Sequence, residues 1–154
     1  MSPFDWRSVV LARHAQHVVL IHFPIALFFA GVMFDLAAVR LRRSEFALVA
    51  YANFCVAALF TLPTLATGVA AWRWALEGQR LKGTLLLHLL SAVVSSLLVW
   101  TVCWLAYRER QGTVSRASQI CKLGAELTAV ALLGLTGHLG GFLSGVNGGG
   151  SKSR

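Results

Sequence analysis

Histidine is the residue type in this sequence with the clearest capacity for chemistry, and it occurs at positions 14, 17, 22, 88 and 138. No carboxylate or thiolate accompanies these histidines in a common motif. Imidazole ligands of this kind suit haem iron, copper or zinc. A single histidine at a membrane interface can instead serve only as a hydrogen-bonding group. The position of each histidine in the fold therefore decides which interpretation is favoured.

Four long apolar segments must position these histidines. The chain has 154 residues, of which 56% are hydrophobic and 13% charged, whereas globular proteins are about 45–50% apolar and about 25% charged. The apolar runs cover about residues 17–39, 46–71, 84–107 and 120–142, and each has the length of about 20 residues that a membrane-spanning helix needs. Short connections make neighbouring helices antiparallel. We predict an all-α membrane protein, an up-down-up-down bundle of four transmembrane helices.

The predicted organisation has three parts. Residues 1–16 mix aromatic and charged side chains and are expected to form an interfacial segment on the lipid headgroups. Residues 17–143 form the bundle, and the first helix is expected to stay in place as a signal-anchor. Residues 144–154 are rich in Gly and Ser and are expected to form a flexible tail. No soluble domain is predicted.

The net charge is +8, and most of the Lys and Arg residues lie between the apolar runs, a pattern typical of loops that touch anionic lipid headgroups. It does not form a basic face with interleaved aromatics, so nucleic acid is not an expected partner. The 14 basic residues divide evenly between the two sides of the membrane, and the positive-inside rule therefore assigns no orientation. We expect a multi-pass protein of the bacterial inner membrane with its termini and histidines towards the periplasm.

The three cysteines, Cys55, Cys103 and Cys121, are scattered, and they form no C-x-x-C or C-x-x-C-H motif. Covalent c-type haem and a zinc knuckle are therefore not expected. We interpret these residues as buried thiols that behave as small hydrophobes.

The topology places the histidines at one membrane face. Four spans put both chain termini on the same side. His17 and His22 lie in the first turns of helix one, His88 in the first turns of helix three and His138 near the end of helix four. All of these positions are on the side of the termini. Ionisable residues within spans are costly and are functional candidates by default, so the matched depth of His22, His88 and His138 favours a bound metal or haem.

A haem would be held by ligands on opposite helices. Helices one and three are usually diagonal in such a bundle, so we predict His22 and His88 as the axial ligands of a haem b. His17 and His138 are the candidates for a second, shallower site. Two stripes of small residues leave room for a flat macrocycle, although close helix packing also explains them. They are Ser91, Ala92, Ser95 and Ser96, and Gly134, Gly137, Gly141 and Gly145.

Two acids, Asp35 and Glu126, lie towards the opposite face. We expect them to form a structural lock with Lys122 or with loop arginines; a proton path is the alternative. Lys122 and Glu126 stand four residues apart and are also candidates to pair with each other.

The stretch HVVLIHFPIALFFAGVMFDLAAV resembles the first helix of an uncharacterised family of bacterial four-helix membrane proteins with an HPxxxHFPIAL pattern and a later acid. The matching residues are His17, His22, Phe23, Pro24, Ile25, Ala26, Leu27 and Asp35, and Val18 stands where the family has proline. This resemblance covers most of the chain, because two later motif regions also match.

TGVAAWRWA and LLLHLLSAV are similar to the second motif pair of the family, with matches at Thr67, Gly68 and His88. TGHLGGFL resembles the closing glycine motif, with matches at Gly137, Gly140 and Gly141 and with His138 where an aromatic is more usual. A later histidine of the family is missing. Proteins of this family resemble companions of cytochrome c-type or other redox modules, which implies a role in electron transfer.

These observations predict a b-type haem electron-transfer subunit that anchors a larger respiratory or redox complex and exchanges electrons with quinone. Other membrane and periplasmic redox subunits are the expected partners. A cofactor-free accessory subunit and a copper-handling membrane protein are the alternatives. Hydrolytic and transferase chemistry have no support, since the sequence shows no constellation of nucleophile, base and acid. We expect the chain itself to be non-catalytic.

Overall fold

Four long helices make up the computed structural model, which describes residues 13–74, 78, 80–112 and 115–144. Helix α1 spans Arg13–Leu41, α2 Ser44–Trp74, α3 Gly83–Arg110 and α4 Arg116–Leu143. All four are long and apolar enough to cross a membrane. The predicted all-α bundle of four membrane spans is thereby confirmed.

Each helix is longer than its predicted apolar run, because hydropathy marks only the part inside the hydrocarbon. Helix α4 begins at Arg116 instead of near Ile120, and its first turn is capped by Ser115, whose hydroxyl accepts a hydrogen bond from the Ser118 backbone N–H at 3.3 Å. Arg42, in the two-residue turn after α1, has a φ of 52°.

Helix α1 already includes residues 13–16, which were predicted to belong to the interfacial segment. Residues 1–12, the rest of that segment, lie outside the described residues, as do residues 145–154 of the predicted tail.

The helices pack as two antiparallel hairpins. Helix α1 packs along most of α2, and α3 along α4, whereas the α2–α3 contact is smaller and the α1–α4 contact is smaller still. In the first hairpin the fully buried rings of Phe28 and Phe54 lie 5.4 Å apart. Gly31 is required beside them, because a Cβ at this position would lie 2.6 Å from Cε1 of Phe54.

Hydrogen bonds help to join the two hairpins. Trp100 on α3 donates its indole N–H to Oγ1 of Thr61 on α2 at 3.1 Å. The same two helices also meet at a pair of cysteines: the Sγ atoms of Cys55 on α2 and Cys103 on α3 are 3.2 Å apart. Such contacts between helices stabilise bundles in lipid, where apolar burial supplies little driving force.

Large apolar side chains cover the outside of all four helices. Met33, Leu59, Leu97 and Leu127 are each more than half exposed in the isolated chain. A bilayer covers this surface with acyl chains, and the helices satisfy their own backbone hydrogen bonds. The chain is therefore a multi-pass membrane protein.

Candidate functional site

His17 ties α1 to α2 at the histidine face, the membrane face where α1 and α3 begin and α2 and α4 end. Its Nδ1 lies 3.2 Å from Oγ1 of Thr67. The Thr67 hydroxyl also lies 2.8 Å from the carbonyl of Pro63 and 3.0 Å from that of Thr64. When it donates to one of these carbonyls, it accepts from Nδ1 of His17. A Cβ at position 68 would lie 3.0 Å from Cε1 of His17, and Gly68 thus makes room for the ring.

His88 makes the corresponding contact between α3 and α4. Its Nδ1 lies 3.0 Å from the carbonyl oxygen of Thr136. A carbonyl only accepts, so Nδ1 carries the proton. Gly140 makes room for this ring, because a Cβ there would lie 3.2 Å from Cε1 of His88.

The two histidine contacts occupy similar positions in the two hairpins, although His17 contacts the Thr67 side chain and His88 the Thr136 backbone. His17 is the fifth residue of α1 and His88 the sixth residue of α3. Thr67 and Thr136 each precede a glycine, and each lies seven residues before the end of its helix. The separation along the chain from histidine to threonine is 50 residues in the first hairpin and 48 in the second. The bundle therefore contains two related His–Thr–Gly contacts between the helices of each hairpin: His17 with Thr67 and Gly68, and His88 with Thr136 and Gly140.

Sequence reasoning missed this relation, although it named His17, Thr67, Gly68 and His88 through the family motifs. The available signal was the recurrence of Thr-Gly at a nearly constant distance after a histidine.

His22 and His138 are placed differently. The His22 ring is exposed, and its Nδ1 donates to the carbonyl of Val18 on its own helix at 2.7 Å. The His138 ring is also exposed and lies edge-on to Phe142, with ring centroids 5.0 Å apart. The hydrogen bond of His88 and its contact with Gly140 are both to α4. The pairing of His22 with His88 stays a prediction, as does that of His17 with His138. The side chain of His14 lies outside the described part of the chain.

The described histidines fit some metal cofactors better than others. Within the described ranges, no three or more His, Cys, Asp or Glu side chains form a group that could hold a metal ion. A structural zinc site needs four such ligands, whereas haem iron needs only one or two axial ligands. The chemistry of these imidazoles therefore fits haem b more closely than a multi-ligand metal ion.

The two small-residue stripes differ in their surroundings. Ser91 and Ser95 are buried, and each hydroxyl donates to a carbonyl of its own helix. Gly134 and Gly137 have open space where a Cβ would be, so these glycines do not serve close packing within this chain. Gly145 lies outside the described residues.

A cluster of charges joins three helices near the basic face, the face opposite the histidines. Lys122 on α4 is 6% exposed. Its Nζ donates to Oδ1 of Asp35 on α1 at 2.8 Å and to Oε2 of Glu109 on α3 at 2.5 Å. The predicted lock between Asp35 and Lys122 is confirmed. It connects α1 to α4, which otherwise make few contacts.

Glu126 completes this acid cluster, which we define as Asp35, Glu109, Lys122 and Glu126. Its side chain is fully buried. Oε1 lies 4.0 Å from Nζ of Lys122, too far for a hydrogen bond. Neither carboxyl oxygen has a hydrogen-bond partner among the described residues. The predicted pairing of Lys122 with Glu126 is thus a loose ion pair only.

A cavity of about 870 Å³ opens beside the acid cluster. Asp35, Glu109 and Lys122 are among its lining residues. The basic side chains in its wall are Arg40, Arg42, Arg43 and Arg116. The cavity thus connects three members of the acid cluster with the turns and helix ends of the basic face.

Cys55 and Cys103 form a thiol pair that sequence reasoning treated as two separate buried thiols. They belong to different helices and are 48 residues apart along the chain, so no short-range sequence spacing predicts the contact. Cys121 is exposed on α4 and is not part of the pair.

Comparison with curated proteins and with solved structures gives no match. A family model does match, over residues 13–153, and its description is a predicted membrane protein, DUF2231. This range includes all four helices and both His–Thr–Gly contacts. The chain therefore belongs to the DUF2231 family of predicted membrane proteins.

Proposed function

We propose that the chain is a b-type haem electron-transfer subunit of a larger redox complex in the bacterial inner membrane. The observation that supports this proposal is the pair of related His–Thr–Gly contacts at the histidine face. In each contact, Nδ1 of a histidine near the start of α1 or α3 lies within 3.2 Å of a threonine oxygen on the next helix, which is the hydroxyl of Thr67 or the backbone carbonyl of Thr136.

The hydrogen bonds of both imidazoles suit metal ligation. With the proton on Nδ1, the neutral ring carries its lone pair on Nε2. Metal-ligating histidines almost always donate the N–H of their other nitrogen to a carbonyl, carboxylate or water. His88 donates to the carbonyl of Thr136, and the Thr67 hydroxyl beside Nδ1 of His17 can accept in the same way. These threonines would fix the orientation of the rings and raise their basicity as ligands.

His17 and His88 are therefore our first choice for the axial ligands. His22 also carries its proton on Nδ1, because its partner is the carbonyl of Val18, and it remains the second choice as partner of His88. When bound, the haem supplies a one-electron redox centre whose potential depends on its ligands and burial. Exchange of electrons with quinone and with periplasmic redox subunits is part of the proposal.

Absorbance spectra of the purified protein and of three variants test the ligand assignment. We expect a Soret band and equimolar iron in the parent protein, loss of the band in His17→Ala and His88→Ala, and its retention in His22→Ala. Loss in His22→Ala with retention in His17→Ala would instead support His22 and His88 as the pair. Circular dichroism of each variant checks that the helices remain.

A cofactor-free accessory subunit is the second candidate. The observation in its favour is that the rings of His17 and His88 fit against Gly68 and Gly140 and hydrogen-bond across each hairpin. This function predicts that His88→Ala lowers stability in a protein without pigment. A copper-handling protein, the remaining alternative, predicts bound copper without porphyrin absorbance.

The orientation is also a proposal. With the histidine face in the periplasm, the turn that contains Arg42 lies in the cytoplasm. A cysteine introduced by Arg42→Cys, in a chain whose own cysteines are replaced by Ser, would then react with an impermeant maleimide only after the inner membrane is permeabilised. Labelling in intact spheroplasts would reverse the assignment.

A further inference from the structure

We propose that the acid cluster is a proton-binding site, in which Glu126 carries an exchangeable proton that is supplied through the cavity on the basic face. This inference goes beyond the proposed function, because it concerns the opposite face and does not depend on haem.

The charges of the cluster do not balance. Three helices direct ionisable groups to it: Asp35 from α1, Glu109 from α3, and Lys122 and Glu126 from α4. α2 adds only Ser44 and Ala47 to the wall of the cavity. Three carboxyl groups thus share a single ammonium group.

The ammonium group of Lys122 hydrogen-bonds to the carboxylates of Asp35 and Glu109 and not to that of Glu126. Its Nζ is 2.8 Å from Asp35 and 2.5 Å from Glu109, but 4.0 Å from Glu126. Glu126 is 0% exposed, and neither oxygen has a hydrogen-bond partner among the described residues. A carboxylate buried in this way loses its hydration without compensation, which is strongly unfavourable. A bound proton removes this charge.

The acidic neighbours of Glu126 favour the same state. Asp35 and Glu109 both interact electrostatically with the Glu126 carboxyl. Like charges at close range cannot all remain ionised, and a protonated carboxyl gains an O–H donor that a neighbouring carboxylate can accept. Glu126 is therefore the group in the cluster that best accommodates a proton.

The geometry favours a proton over a metal cation. The ammonium of Lys122 already occupies the position between Asp35 and Glu109. Hard cations such as Ca²⁺ need six or more oxygen ligands, and Glu126 alone cannot supply them.

The cavity offers the proton a route towards the cluster. The cavity of about 870 Å³ is lined by Asp35, Glu109 and Lys122, and Glu126 lies one helical turn deeper than Lys122 on α4. The basic side chains of Arg40, Arg42, Arg43 and Arg116 line the same cavity. Protons would thus exchange with the aqueous phase at the basic face.

Difference infrared spectroscopy tests this site on the full-length protein in lipid nanodiscs. A pH step across the neutral range should change the carboxyl C=O band of the parent protein. The band should shift in D₂O and after ¹³C-labelling of glutamate. We expect it to disappear in Glu126→Gln and to persist in Glu45→Gln, the matched control, because Glu45 is an exposed acid at the same face and pairs with Arg43.

Two further measurements keep the test decisive. Glu126→Gln resembles the protonated form in shape and charge, so it should fold with a Tm no lower than that of the parent. Potentiometric titration should show one fewer exchangeable proton in this variant. An unchanged band and proton count in Glu126→Gln would overturn the proposal. A band that responds to replacement of Na⁺ by choline at constant pH would overturn it in favour of a cation site.

Discussion

Replacement of Lys122 by Met should destabilise the bundle more than the same replacement of an exposed lysine. Lys122 is the only basic side chain within hydrogen-bonding distance of the carboxylates of Asp35 and Glu109 in the described part of the chain. Their side chains are 13% and 22% exposed, so loss of the ammonium leaves two poorly hydrated charges without a counterion. Methionine keeps most of the length of the lysine side chain, and the change is therefore mainly electrostatic.

The size of the effect follows from the burial of the three groups. Removing one partner of a buried ion pair costs about 3–5 kcal/mol. Glu109 retains some contact with water, which places the expected loss near the lower value, about 3 kcal/mol. At about 1.4 kcal/mol for each factor of ten, this is roughly a 140-fold decrease in the ratio of folded to unfolded protein.

Reversible unfolding in mixed lipid–detergent micelles, with SDS as the denaturant, measures this change. Lys82→Met is the matched control, because Lys82 is exposed just before α3, and it should change the free energy of unfolding by less than about 0.5 kcal/mol. Combining Lys122→Met with Asp35→Asn and Glu109→Gln should recover most of the loss, since no unpaired charge is then left. A loss below about 1 kcal/mol in the single variant would refute the reasoning.

Two other predictions concern the core and the thiol pair. Gly31→Ala should destabilise the first hairpin by about 1–3 kcal/mol through overpacking, because its Cβ would lie 2.6 Å from the buried ring of Phe54, and the Tm in detergent should fall. Mild oxidation should join Cys55 to Cys103, since their Sγ atoms need to approach by only about 1.2 Å to reach disulfide distance. Alkylation with a maleimide should then detect one free thiol instead of three.

The controls for these two predictions use other residues of the same types. Gly134→Ala should leave the Tm unchanged or raise it, because open space lies in front of Gly134 and Ala favours a helix. Equal Tm values for the two alanine variants would contradict the packing argument. Cys103→Ser should show two thiols before and after oxidation. Three reactive thiols in the oxidised parent protein would disprove the proximity of Cys55 and Cys103.

The four spans were predictable from the sequence because they depend on a local property, the length of each apolar run. The exact ends of the helices were not predictable from the apolar runs. The first four residues of α4, from Arg116, are polar or small, and they become helical through the cap at Ser115. Hydropathy carries no information about such a cap.

The contacts between helices were predictable only in part. Asp35 and Lys122 lie at a similar depth near the same face, and this similarity predicted the ion pair that they form. The rotation of each helix about its axis is set by packing, and depth does not determine it. For this reason the sequence did not predict that His22 is exposed, that His88 contacts Thr136, or that Cys55 meets Cys103.

The dithionite-reduced minus oxidised absorbance spectrum of the purified protein tests the central proposal most directly. The proposed electron-transfer function predicts the α and Soret bands of a haem b in the parent protein and their loss in both His17→Ala and His88→Ala. A featureless difference spectrum, from protein that contains no iron and retains its helices, would contradict it.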